Sequence, residues 1–439
     1  MTTSSLNILF ISIYMILWIA TLVWYQYRQR KVDAGSIVII LYIVYTVFSI
    51  LNVNDPVFSD EYTPMRLFPF IYLYLMMMIA HSPAIHHHLH PTNRIENPHT
   101  RILKVASYVI IFCSLVILPG IILNFKSGVL NLFSDADAGQ AAYLEGLSNA
   151  EDSGSGITNI PAIIYNAMND LCFFLFFYFL TIKEKSKIFI SLLGLSMSVG
   201  ILMPIMQGQR GNVINGMLTL LMSYFLFKQY LSKTINRVVK ILGIAAIIIV
   251  TFPIVSITMS RFGSSNAGVT SFINWYVGQG NLYFNSYGLD DNGIRYGDRT
   301  FNLFKRVIDP STSKNFRDRR ERYHQLHVND NKFTTFVGDF TIDFGPVVAP
   351  FIFIIFNLWV LLRIRSHDET IKLHQLLLVY FTLCVSTQGG MTLYSFSDSA
   401  NLRIITIFSL YGYLYYHELL LKRFPLKEKQ EELLPTDNE

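Results

Sequence analysis

The chain has 439 residues, 52% hydrophobic and 14% aromatic against 15% charged, with a mean hydropathy of +0.38. Soluble domains carry about 25% charged residues, so this composition excludes an ordinary water-soluble enzyme and points to an all-α polytopic membrane protein. The net charge of +5 assigns no partner, because in membrane chains the placement of Lys and Arg matters more than their sum.

Apolar runs of about 18 or more residues predict membrane helices. Eleven are expected, at 6–27, 35–53, 67–83, 102–124, 161–182, 188–206, 212–231, 239–258, 344–362, 374–394 and 402–421. The first continues to Tyr27 with no small-residue cleavage site after it, so no cleavable leader is expected. The loops alternate in basicity. One set carries Arg28, Arg30 and Lys31, then Arg94, Arg101 and Lys104, then Lys183, Lys185 and Lys187, with similar clusters at 228–240, 363–372 and 422–429. The opposite short loops carry single bases, Arg66, Lys126, Arg210 and Arg403. The positive-inside rule makes the basic set cytoplasmic, the N-terminus external and the C-terminus internal. Long loops escape that rule, so the polar stretch after the eighth span is external despite its bases.

The expected organisation is therefore 1–258 for the first eight spans, with an external loop at 125–160; 259–343 for a large external loop domain; 344–426 for three more spans; and 427–439 for a disordered tail. The loop at 125–160 reads as a solvated connector or as a lid over a substrate entrance. No second half resembles the first, which counts against many transporter folds. Cys113, Cys172 and Cys384 fall in apolar runs without metal-ligand spacing and read as small hydrophobes.

The stretch 261–332 holds eleven bases against seven acids, with aromatic residues among them. Ahead of it, Gln207-Gly208-Gln209-Arg210-Gly211 forms a tight external turn. A boundary arginine is costly unless solvated, paired or functional, and a guanidinium matches phosphate oxygens as a two-pronged donor. Arg210 is thus a candidate diphosphate clamp, with a headgroup anchor as the bland reading, and Gln207 and Gln209 flank it. Arg261 opens the long stretch from the same side. Arg403, at the outer start of the last span, has Asp398 near it as a neutraliser.

Asp339 and Asp343 are four apart at the re-entry into the membrane and share one face if helical; they either cap the helix or bind and deprotonate a sugar hydroxyl. His324 is a second candidate base. Asp170, deep in the fifth span, is a candidate for pairing with an arginine of another span or for sugar contact. Trp275 and Tyr276 offer flat apolar rings with polar edges to sugar faces. The run His86-His87-His88-Leu89-His90 lacks a supporting ligand frame and reads as an interfacial loop.

Gln207-Gly208-Gln209-Arg210, Ser260-Arg261-Phe262-Gly263 and Gly338-Asp339-Phe340-x-x-Asp343-Phe344-Gly345, set in a many-span chain with one dominant late loop, resemble the bacterial oligosaccharide repeat-unit polymerases, the Wzy or O-antigen polymerase family. The resemblance implies a GT-C-like, metal-independent glycosyltransferase of the bacterial inner membrane, working at the periplasmic face without a cofactor. Its substrates would be undecaprenyl-diphosphate-linked oligosaccharides in the lipid bilayer, with a chain-length regulator and a flippase as candidate partners and no nucleic acid. On this view Arg210, Arg261, Asp339 and His324 are catalytic, and Gln207, Gln209, Asp170, Asp343, Arg403, Trp275 and Tyr276 bind substrate. An O-antigen ligase-type transferase is the nearest alternative, and a lipid-linked oligosaccharide flippase a more distant one.

Overall fold

The computed structural model describes residues 3–90, 92, 94–96, 101–134, 160–182, 186–207, 209–262, 268–289, 292–314, 318–319, 322–323, 325, 327, 332–365, 370–391 and 398–423, with backbone alone at 124–134, 257, 259–262 and 421–423. Its long helices are α1 (Thr3–Gln29), α2 (Ala34–Val53), α3 (Leu67–Leu89), α4 (Arg101–Ser134), α5 (Ile160–Thr181), α6 (Lys187–Met206), α7 (Arg210–Phe227), α8 (Lys233–Phe262), α9 (Gly268–Tyr287), α11 (Thr335–Ile364), α12 (Leu373–Gln388) and α13 (Asp398–Arg423). A short α10 covers Asn302–Ile308, and β1 (Arg94–Glu96) pairs in parallel with β2 (Thr370–Lys372). The external loop at 125–160 and the tail at 427–439 fall largely or wholly outside the described residues.

Eight helices among the described residues are long and apolar enough to cross a membrane: α1 to α6, α8 and α11. The runs at 212–231, 374–394 and 402–421, expected as spans, are helical as α7, α12 and α13 but are not among the eight. Their position supplies the reason. Every residue of α12 except Val385 is buried, so protein surrounds it and its surface need not be as apolar as one facing lipid. α7 begins Arg210-Gly211-Asn212, and α13 carries Asn401, Arg403 and Glu418.

The loops fall into two groups by contact. In one, Gln29 donates to the His88 carbonyl, Thr92 and Tyr230 share a hydroxyl hydrogen bond of 2.6 Å, β1 joins β2, and Lys372 pairs with Glu418. In the other, Ser4 bonds Asn54 at 2.8 Å, Glu61 meets Lys332 at 2.7 Å, the Thr335 N–H reaches the Met391 carbonyl at 2.9 Å, and Asn401 reaches the Thr300 carbonyl at 2.8 Å. The expected basic loops at 28–31, 94–104, 228–240 and 363–372 belong to the first group, and the described parts of the long polar stretch belong to the second.

Within residues 259–343, expected as a large external loop domain, α9 packs against α2 and α3 of the bundle. α9 crosses α2 at Gly278, where a Cβ would lie 2.5 Å from the Phe48 carbonyl. Only glycine lets two backbones come that close. Ser49 Oγ donates to the Gly278 carbonyl at 2.8 Å and accepts from Asn281 Nδ2 at 3.1 Å. The buried run 278–286 of α9 completes the contact. α11 is broken at Gly345, with φ 81° and ψ 159°, just before Pro346, so its first part, 335–344, is a separate half-helix. The histidine run is not a loop either: His86, His87 and His88 are the last turn of α3, with His87 and His88 buried.

Candidate functional site

α7 starts at Arg210, whose N-cap residue Gln209 accepts from Asn212 Nδ2 at 2.6 Å. Gln207 closes α6, its N–H reaching the Met203 carbonyl at 3.2 Å. Gly208, between them, lies outside the described residues. The Arg210 side chain turns inward and is only 4% exposed. Its Nη1 donates to Thr258 Oγ1 at 3.3 Å, and its guanidinium carbon stands 4.2 Å from the centre of the Tyr276 ring. A cation over an aromatic face is held for about 0.5–2 kcal/mol. Gly211 makes room: a Cβ there would meet the Tyr276 hydroxyl at 2.5 Å. The space beside this glycine is thus taken by a tyrosine, not left to an anion.

Arg261 follows Thr258 by three residues in α8, so the backbone brings both expected phosphate-binding arginines to one corner of α7, α8 and α9. The Arg261 side chain lies outside the described residues, as does His324.

Tyr276 is therefore an arginine platform, and its neighbour Trp275 is equally committed. Phe58 stacks on Trp275 at 5.2 Å and the Lys332 ammonium sits 4.2 Å from its ring. Trp275 Nε1 donates to Glu61 Oε2 at 2.9 Å. Glu61 lies in a 3-10 turn, Ser59–Glu61, and also accepts from Tyr283 at 2.9 Å and from Lys332 at 2.7 Å. Burial, and then the Glu61 carboxylate, push the Tyr283 hydroxyl well above its ordinary value, so it stays a donor. The expectation that Trp275 and Tyr276 stack on sugars meets two rings whose faces are already engaged.

Asp339 and Asp343 do share a face of the half-helix, and both are buried. Arg299 Nε donates to Asp339 Oδ1 at 2.5 Å, with the two side chains 0% and 1% exposed. Arg299 Nη2 adds Thr334 Oγ1 at 3.1 Å and the Lys332 carbonyl at 3.3 Å. Asp343 accepts from the backbone N–H groups of Arg299 and Thr300, at 3.1 and 2.6 Å, and from the Thr300 hydroxyl at 2.7 Å. These bonds tie the 295–302 segment to the half-helix, and the carboxylates face that segment rather than an open cleft. Much of the basic excess is matched in the same way: Lys305 with Asp298, Arg306 with Asp398, and Arg319 with the carbonyls of Ser313 and Lys314.

Asp170 and Arg403 form the third grouping. Their closest atoms are 3.8 Å apart, Arg403 Nε donates to the Asn166 carbonyl at 3.1 Å, and Tyr380 donates to the Asp170 carbonyl at 2.6 Å. Asp398, the expected neutraliser of Arg403, is engaged instead by Arg306 and by Asn302 at 2.6 Å.

Sequence reasoning missed Glu61, Thr258 and Arg299. Glu61 had a signal, since the loop at 54–66 holds Asp55, Asp60 and Glu61 beside its lone Arg66. Thr258 had none. Comparison of the chain with protein-family models, with curated proteins and with solved structures finds no match.

Proposed function

We propose that this chain is a glycosyltransferase that polymerises lipid-diphosphate-linked oligosaccharide repeat units, with eleven crossings and with its site at the external face of the inner membrane. The observation that carries the proposal is the inward-turned guanidinium of Arg210 at the start of α7, bonded to Thr258, which precedes Arg261 by three residues in α8. The segregation of basic loops in one contact group supports the sidedness, because excess Lys and Arg mark the cytoplasmic end.

In the reaction, an acceptor sugar hydroxyl attacks the anomeric carbon of the donor glycan. The bond from that carbon to the diphosphate oxygen breaks, the polyprenyl diphosphate leaves with the electron pair, and the proton of the acceptor hydroxyl passes to the departing diphosphate or to water. Fixed cations stabilise that developing charge where water is scarce, which is usually the largest catalytic term. Tyr276 covers a face of the Arg210 guanidinium, and the in-plane N–H edge is the one that forks onto phosphate oxygens. Asp339 and Asp343 have no step here; they hold the segment around Arg299.

The test is Arg210→Ala in the native host, scored by glycan ladder and by membrane protein level. The expected result is loss of long chains with single-unit product and protein level retained, and no recovery with Arg210→Lys, which lacks the fork. Unchanged chain length and yield would refute the role of Arg210. Purified protein should extend a lipid-diphosphate glycan in EDTA; turnover that required added magnesium or manganese would refute stabilisation by arginines alone.

A further inference from the structure

Two consecutive residues of α9 hold opposite charges at their sides. Tyr276 carries the guanidinium of Arg210 on its ring, and Trp275 donates from its indole to the carboxylate of Glu61. Glu61 comes from the loop between α2 and α3, and Lys332 from the end of the long stretch, so three distant parts of the chain meet at Trp275. The Glu61 side chain is 30% exposed and that of Lys332 is 13% exposed. This contrasts with the Arg299–Asp339 pair, which is sealed at 0% and 1%.

We propose that the Glu61–Lys332 pair is a glycan subsite that holds adjacent hydroxyls of a sugar in the repeat unit; the choice of glycan as ligand rests on the polymerase reading. Among the described residues, Oε2 of Glu61 receives Trp275, Tyr283 and Lys332, whereas Oε1 receives Lys332 alone. A carboxylate oxygen has two lone pairs, so Oε1, with one donor among the described residues, keeps an acceptor site on a side chain that is partly open to solvent. An ammonium has three N–H donors; Lys332 directs its hydrogen bonds at the two oxygens of one carboxylate, at 2.7 and 2.9 Å. An acceptor and a donor side by side are the complement of a vicinal diol, in which each hydroxyl both gives and takes a hydrogen bond.

The surroundings fix the pair in place. Tyr287 donates to the Glu61 backbone carbonyl at 3.3 Å, Tyr62 packs edge-on to Tyr283 at 5.3 Å, and Phe58 backs Trp275. Rotamers are therefore locked before ligand arrives, which lowers the ordering cost of binding. Because the rings are packed against one another, recognition runs through the hydroxyl-matching pair and not through stacking. Glu61 and Lys332 are binding residues in this assignment; neither takes a proton.

The experiment uses the full chain in detergent micelles. The probe is oligosaccharide released by mild acid from the host's own lipid-linked pool, titrated while tryptophan emission is followed, with Trp275→Phe identifying the signal among the four tryptophans. Wild type is expected to saturate. Glu61→Gln and Lys332→Met are expected to bind about tenfold more weakly, the scale of one hydrogen bond to a charged group. Glutamine still accepts from Trp275 and Tyr283, so its melting midpoint is expected to hold; should that variant fail to fold, Lys332→Met decides alone. A wild type without response, or variants that bind as wild type does, overturns the subsite. Transfer to a lipid-linked acceptor is measured on the same preparations. Protein that binds the oligosaccharide yet never extends a lipid-linked chain refutes the polymerase reading and leaves the subsite standing; extension with unaltered binding in both variants does the reverse.

Discussion

Replacing Asp339 by Ala separates two roles that the sequence left open for it. If the residue were a catalytic base, activity would fall and stability would not. The geometry gives the opposite expectation. Arg299 is fully buried and its Nε lies 2.5 Å from Asp339 Oδ1. Removing the carboxylate leaves a buried guanidinium with the Thr334 hydroxyl and the Lys332 carbonyl among its acceptors, at 3.1 and 3.3 Å. Breaking one side of such a pair costs about 3–5 kcal/mol. Replacing both partners by apolar groups of similar volume is close to neutral in other proteins, so Arg299→Met with Asp339→Leu should regain most of the loss. The assay is thermal unfolding of purified protein in detergent, with limited proteolysis of the 292–332 region as a local readout. Asp339→Ala should lower the midpoint and expose that region to protease, and the double variant should restore both. An Asp339→Ala protein with unchanged midpoint, unchanged proteolysis and lost activity would refute the structural assignment.

Gly278→Ala tests the docking of α9. Its Cβ would stand 2.5 Å from the Phe48 carbonyl, so overpacking should cost about 1–3 kcal/mol, and a cysteine pair spanning α2 and α9 should cross-link less efficiently. An unaltered midpoint would show that the helices do not meet there. Lys305 supplies a pH dependence. Burial pulls its pKa down, but hydrogen bonds to Asp298 and Tyr323 outweigh it and hold the group above its ordinary value of 10.5. Its contribution to stability is complete below that ordinary value and is lost as pH rises through the higher folded one. Lys305→Met should therefore melt below wild type at neutral pH, with the gap closing in strong alkali; a gap constant across that range would contradict the pairing.

Helical character and apolar spans were legible because a bilayer leaves few solutions for backbone polar groups. Periodic runs of Ile, Leu and Phe cannot be anything but helices there. What composition could not weigh was position within the bundle: α12 is sheathed by protein, so it needs neither the length nor the apolarity of a lipid-facing helix. Charges were harder. A count of bases over 261–332 reads as an anionic-ligand surface, yet Arg299, Lys305, Arg306 and Lys332 are each joined to a carboxylate, three of them from outside that stretch, Asp339, Asp398 and Glu61. Pairing across some 271 residues, as between Glu61 and Lys332, leaves no local trace.

By itself, then, the sequence determined an all-helical membrane chain, the alternation of basic loops and the prominence of Arg210, since each depends on properties a residue keeps wherever the chain goes. Tertiary structure alone decided that α9 is built into the bundle, that Asp339 and Asp343 face Arg299 and Thr300, and that Trp275 and Tyr276 serve a carboxylate and a guanidinium. Those outcomes depend on which charge lies within a few ångströms of which, and that distance is set only when separate helices pack.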